Sequence, residues 1–501
     1  MTQAKQKQRI EYGDFQTPDV LARSVCARLH TAGIRPDVVV EPTCGIGSFL
    51  LAAAESFPRA TRIFGFEINP EYLDILHRHI DGHPAAPRVQ LQQADFFATD
   101  WKTRFEQMPG RILVIGNPPW VTNSAQSSIG GNNLPKKSNF LGHNGFDAIS
   151  GKANFDISEW MLLEILRKLH GRSADVAMLV KTSVARKVLS CAQRRHDAIY
   201  DAFLVCIDAK KNFGVAVDAC LLVMRLDPAA KSCEDYTIYA NLEADTGKTT
   251  SYRYGISISD LDTFENCSFL FGISPKKWRS GIKHDASSVM ELTQTPSGYE
   301  NAIGETVQLE DMYLYPLLKG SDIGNGRAWR NKFMLVTQRN VGEPTALIQR
   351  HAPLTWAYLQ AHGDRLDARS SIIYTKNPRF SIFGVGDYAF RPWRIAICSL
   401  YKELRFRLIS PINEKPVMFD DTVYYLSFDA KAEAIETMAC LDTEPATGLL
   451  SSMIFWDEKR PVKTSILNTL DWSKFAQNTT LRKTTEQLEL VWKIRNESQL
   501  S

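Results

Sequence analysis

The chain has 501 residues, of which 44% are hydrophobic and 23% charged, and its formal net charge is +3. That length is more than one core normally fills, so two or more domains are expected. The charge excludes a strongly polybasic or polyacidic protein, and any basic surface for nucleic acid has to be local. The 9 cysteines are scattered singly from Cys26 to Cys440 with no zinc or redox spacing. No apolar run reaches the ~18 residues of a membrane span, and the polar N-terminus has no signal core. The expectation is a cytoplasmic protein with reduced thiols, no metal site and no membrane partner.

In chain order, Gln16-Thr17-Pro18 precedes an amphipathic pattern from Val20 to Leu29. Thr17 reads as an N-cap with proline at the first helical position. Val38 to Val40 is a short β-branched strand, followed by Glu41-Pro42-Thr43-Cys44-Gly45-Ile46-Gly47-Ser48-Phe49 and a helix from Leu50 to Ser56. Strand, glycine turn and helix are the opening of a nucleotide-binding βαβ unit, in which the helix N-terminus offers free N–H groups. The third glycine of a dehydrogenase fingerprint is missing, so a pyrophosphate is not the obvious guest. Arg62 to Glu67 reads as a second strand ending in an acid about 20 residues beyond the glycines, where a carboxylate can accept ribose hydroxyls. A helix from Glu71 to His79 and a third strand, Val89 to Gln92, lead to Asp95-Phe96.

The fourth strand, Ile112 to Ile115, stops at Gly116-Asn117-Pro118-Pro119-Trp120. Two prolines stiffen the backbone, so the Asn117 carboxamide and the Pro118 carbonyl can be held facing one way beside an indole. Two acceptors and a flat ring suit a planar base that carries an amino group. A strand end followed by a Pro-Pro turn and a core tryptophan is the alternative for this motif alone. Four successive strands each end in a polar ligand group, and one crevice lined by Gly45, Gly47, Glu67, Asp95 and Asn117 accounts for the series.

The segment 122–152 is rich in Ser, Asn, Gly and Lys and reads as a lid, a substrate loop or a disordered insert. Asn154-Phe155-Asp156 caps the next helix. Val176 to Val180, Phe203 to Ile207 and Ala219 to Met224 are further strands, giving an α/β domain of about seven strands over residues 1–230. From 231 to 501 the pattern is mixed α+β with no second glycine turn. Tyr315 to Ile323 is a strand-and-turn unit. Arg379 to Phe390 follows, with more cations and aromatics behind it. Lys319, Arg379, Arg391, Arg394 and Lys402 are the cations that a nucleic-acid surface would use, and a strand-rich core with solvated arginines is the other reading.

Taken in order, the Thr-Pro segment, the glycine turn, Glu67, Asp95-Phe96 and Asn117-Pro118-Pro119-Trp120 resemble the gamma class of adenine-specific DNA amino-methyltransferases. Residues 231–501 resemble the target-recognition domain of these modification enzymes. The resemblance implies a class I, Rossmann-like methyltransferase fold and S-adenosylmethionine as methyl donor. Thr17, Gly45 and Gly47 would bracket its methionine end, Glu67 its ribose, and Asp95 with Phe96 its adenine, with Glu41 also among the donor-binding residues. Asn117 and the Pro118 carbonyl would hold the target amino group in a catalytic motif completed by Pro119 and Trp120, with Trp120 and Phe213 on the two faces of a flipped base. Double-stranded DNA is the implied partner, with a cognate restriction endonuclease and a monomeric or weakly dimeric enzyme. A cytosine-N4 methyltransferase and a DNA-binding subunit with an inactive core are the competing readings.

Overall fold

The computed structural model describes residues 16–121, 156–477 and 486–489. The segment 122–152 singled out above, with Asn154 and Phe155 of the expected cap, lies outside the described residues. The chain divides into two compact units, Met1–Leu261 and Asp262–Ser501.

The first unit alternates helices and strands. In order they are α1 (Asp19–Thr31), β1 (Val38–Glu41), α2 (Ser48–Ser56), β2 (Arg62–Glu67), α3 (Pro70–Ile80), β3 (Val89–Gln93), α4 (Trp101–Glu106) and β4 (Ile112–Gly116). Then come α5 (Ile157–Lys168), β5 (Ala174–Lys181), α6 (Thr182–Arg194), β6 (Ile199–Ile207), α7 (Ala209–Phe213) and β7 (Ala219–Leu226). Three further strands close the unit, β8 (Asp235–Tyr239), β9 (Gly247–Arg253) and β10 (Ile256–Ile258).

All seventeen belong to one α/β layer system around a ten-stranded sheet of order β10-β9-β8-β6-β7-β5-β4-β1-β2-β3. Strands β3, β2, β1, β4 and β5 run parallel, whereas β7 is antiparallel to both β5 and β6. The strand order reverses between β1 and β4, and the crevice at such a switch point, beyond the carboxyl ends of the strands, is where α/β sheets take ligands. Seven strands match the expected sheet. The added β8–β10 move the end of the unit from the expected residue 230 to Leu261, because β8 pairs in parallel with β6 and carries two more strands beyond it.

Both faces of the central part of the sheet are covered, which is why β1, β4, β5 and β7 are buried almost throughout rather than alternating. Val39, Leu113, Ile115, Leu179 and Leu221 face a core shared with α1 and α2. Val38, Val40, Val114, Val176 and Leu222 face the core beneath α5 and α6. Val38, Val39 and Val40 are fully buried, and each contributes about 1.5–3 kcal/mol of transfer free energy.

The second unit holds two sheets. Strands β11 (Arg279–Ser280), β17 (Trp393–Cys398), β18 (Arg407–Ile409) and β20 (Val423–Phe428) pair in the order β11-β20-β17-β18. Strands β12 (Glu291–Thr295), β13 (Gly298–Asn301), β14 (Thr306–Val307), β15 (Leu314–Leu318), β16 (Lys332–Leu335) and β19 (Met418–Phe419) form the other, in the order β14-β13-β12-β16-β15-β19. This is the mixed architecture expected after the first domain. The strand-and-turn unit at Tyr315 to Ile323 is β15 followed by the short helix α8 (Gly320–Gly324).

Candidate functional site

The glycine turn folds as its sequence requires. Gly45 and Gly47 have φ of +53° and +90°, the left-handed region that other residues enter at a cost. A Cβ on Gly47 would stand 2.1 Å from Leu76 Cδ1, and one on Gly45 would stand 2.6 Å from Gln16 Oε1. The turn is closed by the Gly47 amide donating to the Cys44 carbonyl at 2.8 Å, and Gln16 Oε1 accepts from the Ile46 amide at 3.2 Å.

Glu67, at the end of β2, is the hub of this corner. One carboxylate oxygen accepts from the Gly45 amide at 2.8 Å and the other from the Asn69 amide at 2.9 Å. A carboxylate oxygen can accept two bonds, so ribose hydroxyls could reach the same oxygens. Glu41, at the end of β1, is 3% exposed, and its Oε2 has no hydrogen-bond partner among the described residues. Burial, reinforced by the nearby Glu67 and opposed by the Leu50 amide, pushes its carboxyl well above the usual range. Asp95 lies just past β3, where its side chain accepts from the Phe97 amide at 2.9 Å.

At the end of β4, Asn117 Nδ2 donates to Thr17 Oγ1 at 3.3 Å. Thr17 therefore does not cap α1 as expected. The N-cap position is Pro18, with no side-chain cap, and the hydroxyl reaches across to the fourth strand instead. Trp120 is 6% exposed, its indole N–H donates to the Leu179 carbonyl at 3.0 Å, and its ring meets Phe213 edge-on with centroids 5.1 Å apart. No base fits between two rings that close, so the sandwich of Trp120 and Phe213 expected from the sequence is not formed in this structure. Phe96 also departs from expectation. It is 5% exposed and packs on Trp101, Phe97 and Trp160, so it presents no open face for an adenine.

Sequence reasoning passed over Lys181, the last residue of β5. Its ammonium donates to the Trp120 carbonyl at 2.9 Å and to Asp156 Oδ2 at 2.6 Å. The only signal for it was a cation ending an apolar run on the crevice side of the sheet.

The cations chosen in the second unit are mostly engaged. Arg394 is fully buried, donates to the Ala389 carbonyl at 2.8 Å and lies over the Tyr425 ring, so it cannot reach a phosphate. Burial lowers its guanidinium to about 10. Lys319 donates to both oxygens of Glu291 at 2.9 Å, and Arg379 is bound to Asp367 and Gln360. Arg391 sits 3.5 Å from Asp429, while Lys402 is exposed. Among the described residues, no cluster of three or more His, Cys, Asp or Glu could hold a metal ion, and no helix is long and apolar enough to cross a membrane.

The chain is 47% identical over 477 residues to the type II methyltransferase M.NspV of Nostoc sp. (strain ATCC 29411 / PCC 7524), a match spanning 94% of this chain and 98% of the relative. The chain belongs to the type II methyltransferases. The family model for N-6 DNA methylases matches residues 1–200 of this methyltransferase. A shorter match, 30% identical over 116 residues, covers 23% of it and 26% of the type II methyltransferase M.CvrRI of Paramecium bursaria Chlorella virus XZ-6E. Its fold is similar to the type IIL restriction-modification enzyme MmeI, solved in complex with DNA. The TM-score is 0.54 and the identity 12%, over 93% of this chain and 69% of that one. The protein is thus a sequence-specific DNA methyltransferase of a restriction-modification system, and S-adenosylmethionine is its methyl donor. The corner fits that donor. The buried Oε2 of Glu41 and the carboxylate of Glu67 are acceptors that would suit its ammonium and hydroxyl groups, beside a turn whose left-handed backbone favours glycine.

Proposed function

We propose that the chain methylates the exocyclic N6 of an adenine turned out of duplex DNA, with residues 262–501 reading the sequence around it. The observation that carries this reading is the Asn117 amide at the end of β4, oriented by Thr17 and adjoining the glycine corner that Glu67 ties together. With Nδ2 given to Thr17, Oδ1 is the acceptor edge of the amide, and the Pro118 carbonyl is a second acceptor on the same stiff turn. Two acceptors draw the amino nitrogen toward tetrahedral geometry and aim its lone pair. When bound, the donor would supply an electrophilic methyl group on a sulfonium; the charge passes to the amino nitrogen, which then gives up a proton to water, so the step needs positioning more than a strong base. The name of the matching family model favours adenine over cytosine.

In this reading Glu41, Gly45, Gly47, Glu67 and Asp95 bind the donor. Trp120 closes the target pocket from one side and Phe213 shifts to admit the base. Extrusion costs a few kcal/mol of unstacking, and one stacking contact, worth ~1–3 kcal/mol, offsets much of that. The enzyme would work in the cytoplasm as a monomer or weak dimer, beside an endonuclease cutting the same sequence.

The test is to incubate the protein with duplex DNA and labelled donor, digest the product and identify the methylated nucleoside. Appearance of N6-methyladenine supports the proposal, and N4-methylcytosine alone rejects it. Long-read sequencing of DNA from expressing cells then gives the recognised site.

A further inference from the structure

The Asn-Pro-Pro-Trp turn is anchored at its upstream end by Thr17, and its downstream end has an anchor of a different kind. In the register of β4 against β5, Gly116 lies opposite Met178, so the turn runs alongside Leu179 to Lys181. Trp120 is joined to that strand end twice. Its indole N–H donates to the Leu179 carbonyl, and its own carbonyl accepts from the Lys181 ammonium at 2.9 Å. The prolines fix φ at positions 118 and 119 but leave the direction of the chain after Trp120 open. Lys181 sets it at the Trp120 carbonyl, and one residue on, the Val121 carbonyl accepts from the Ile157 amide at 2.9 Å.

The ammonium is itself held. Asp156 Oδ2 accepts from it at 2.6 Å, while Asp156 Oδ1 caps α5 by accepting from the Ser158 amide at 3.1 Å and the Ser158 hydroxyl at 2.6 Å. The Asp156 side chain is 7% exposed and that of Lys181 24%, so the pair is largely withdrawn from water. A charge-assisted bond there is stronger than a surface ion pair, and either partner left alone would carry a desolvation penalty. The carboxylate also neutralises the ammonium at the mouth of a crevice that must accept a cationic donor.

We infer that Lys181 and Asp156 form a positioning pair that pins the Trp120 backbone and so fixes the acceptor turn for the target amino group. Neither residue need touch donor or base. Lys181 would act through the Trp120 carbonyl, and Asp156 would act through Lys181. This inference rests on the reading of Asn117 and its turn given above.

Replacing Lys181 by methionine keeps the length of the stem and deletes the three donors. Because the glycine corner and Glu67 are untouched, binding of S-adenosylmethionine by calorimetry should stay within about threefold of wild type. Loosening the turn should lower kcat by ~10–100-fold, the scale on which small misplacements act. Lys181→Arg, which can still donate to both acceptors, should recover part of the loss. Asp156→Asn retains an N-cap for α5 while removing the charge, and should lower kcat by several-fold at unchanged donor affinity. A Lys181→Met enzyme with kcat within twofold of wild type overturns the inference. So does one that loses donor binding and kcat together with no recovery in Lys181→Arg, which marks a general structural role. Asn117→Ala is run in parallel. If that variant methylates normally, the reading of the turn fails, whatever Lys181 does.

Discussion

Thr17 Oγ1 and Asn117 Nδ2 meet at 3.3 Å across a hundred residues of sequence, joining the segment ahead of the glycine turn to the end of the fourth strand. One hydroxyl thereby links the segment ahead of the glycine turn to the Asn-Pro-Pro-Trp turn. It also sets the amide with its oxygen as the acceptor edge.

Asn117→Ala should reduce single-turnover methyl transfer by about 10²–10³-fold, the range seen when one preorganised polar group is lost from a transition state. Donor affinity should change little. Thr17→Val removes the acceptor and should cost about tenfold in transfer rate, whereas Thr17→Ser should remain near wild type. Rapid-quench measurements with saturating donor separate these outcomes from effects on binding.

Glu41 gives a prediction with a sign. Burial raises its carboxyl well above the usual range, with Glu67 adding to the effect. A raised folded-state value means that the stabilisation is fully present below the unfolded value, about 4.3, and is lost as pH rises through the folded one. The donor-free protein should therefore lose stability on that upward passage, and Glu41→Gln, which cannot ionise, should not. A cationic donor favours the ionised form, so its uptake by the wild type should release a proton. Calorimetry in two buffers of different ionisation heat should detect that proton in wild type and miss it in Glu41→Gln.

The strands that build the crevice were legible because β1, β2, β4 and β5 are buried on both faces and read as apolar runs. The helices α1 and α3 were legible from their periodicity. Strands β8 to β10 were not, since Asp235–Tyr239 and Gly247–Arg253 are polar edge strands whose pairing is tertiary. The short helix α4 went unread for want of length. The role of Thr17 was hidden by local logic, because a threonine before a proline is a sound cap until a distant amide competes for its oxygen. Trp120 turned out to be in large part the core tryptophan that the alternative reading described, and its burial cannot be read from a four-residue motif. Arg394 misled for a related reason. It lies on β17, where every residue but the first is buried, so no alternation marks a buried arginine off from a solvated one.

That misreading leads to a contrast between two cations. Arg394→Ala would open a cavity and orphan the Ala389 carbonyl, so it should destabilise the protein by about 2 kcal/mol or more. The salt dependence of DNA binding should be unaffected. Lys402, exposed, should behave in the opposite way if it meets a phosphate. Lys402→Ala should leave thermal stability alone and reduce the slope of log K against log salt by about 1. Titrations of a defined duplex at three salt concentrations, with a melting curve for each variant, check both halves.

The glycine turn permits a control within the same molecule. Gly33 and Gly47 both have left-handed backbones, with φ of +79° and +90°. A Cβ on Gly33 meets nothing within 4 Å, whereas one on Gly47 drives into Leu76, a fully buried residue of α3. Gly33→Ala should therefore lose only the conformational term, about 1–2 kcal/mol. Gly47→Ala should lose that and more, because Leu76 has to move within a packed core or the turn has to open. Opening the turn would shift the Gly45 amide away from Glu67 and weaken the donor site. Thermal melts with and without S-adenosylmethionine separate the two effects. Both variants should melt lower without donor, but the donor-dependent rise should be intact in Gly33→Ala and much reduced in Gly47→Ala. An undiminished rise in Gly47→Ala would mean that the turn tolerates a side chain and is not what shapes the donor site.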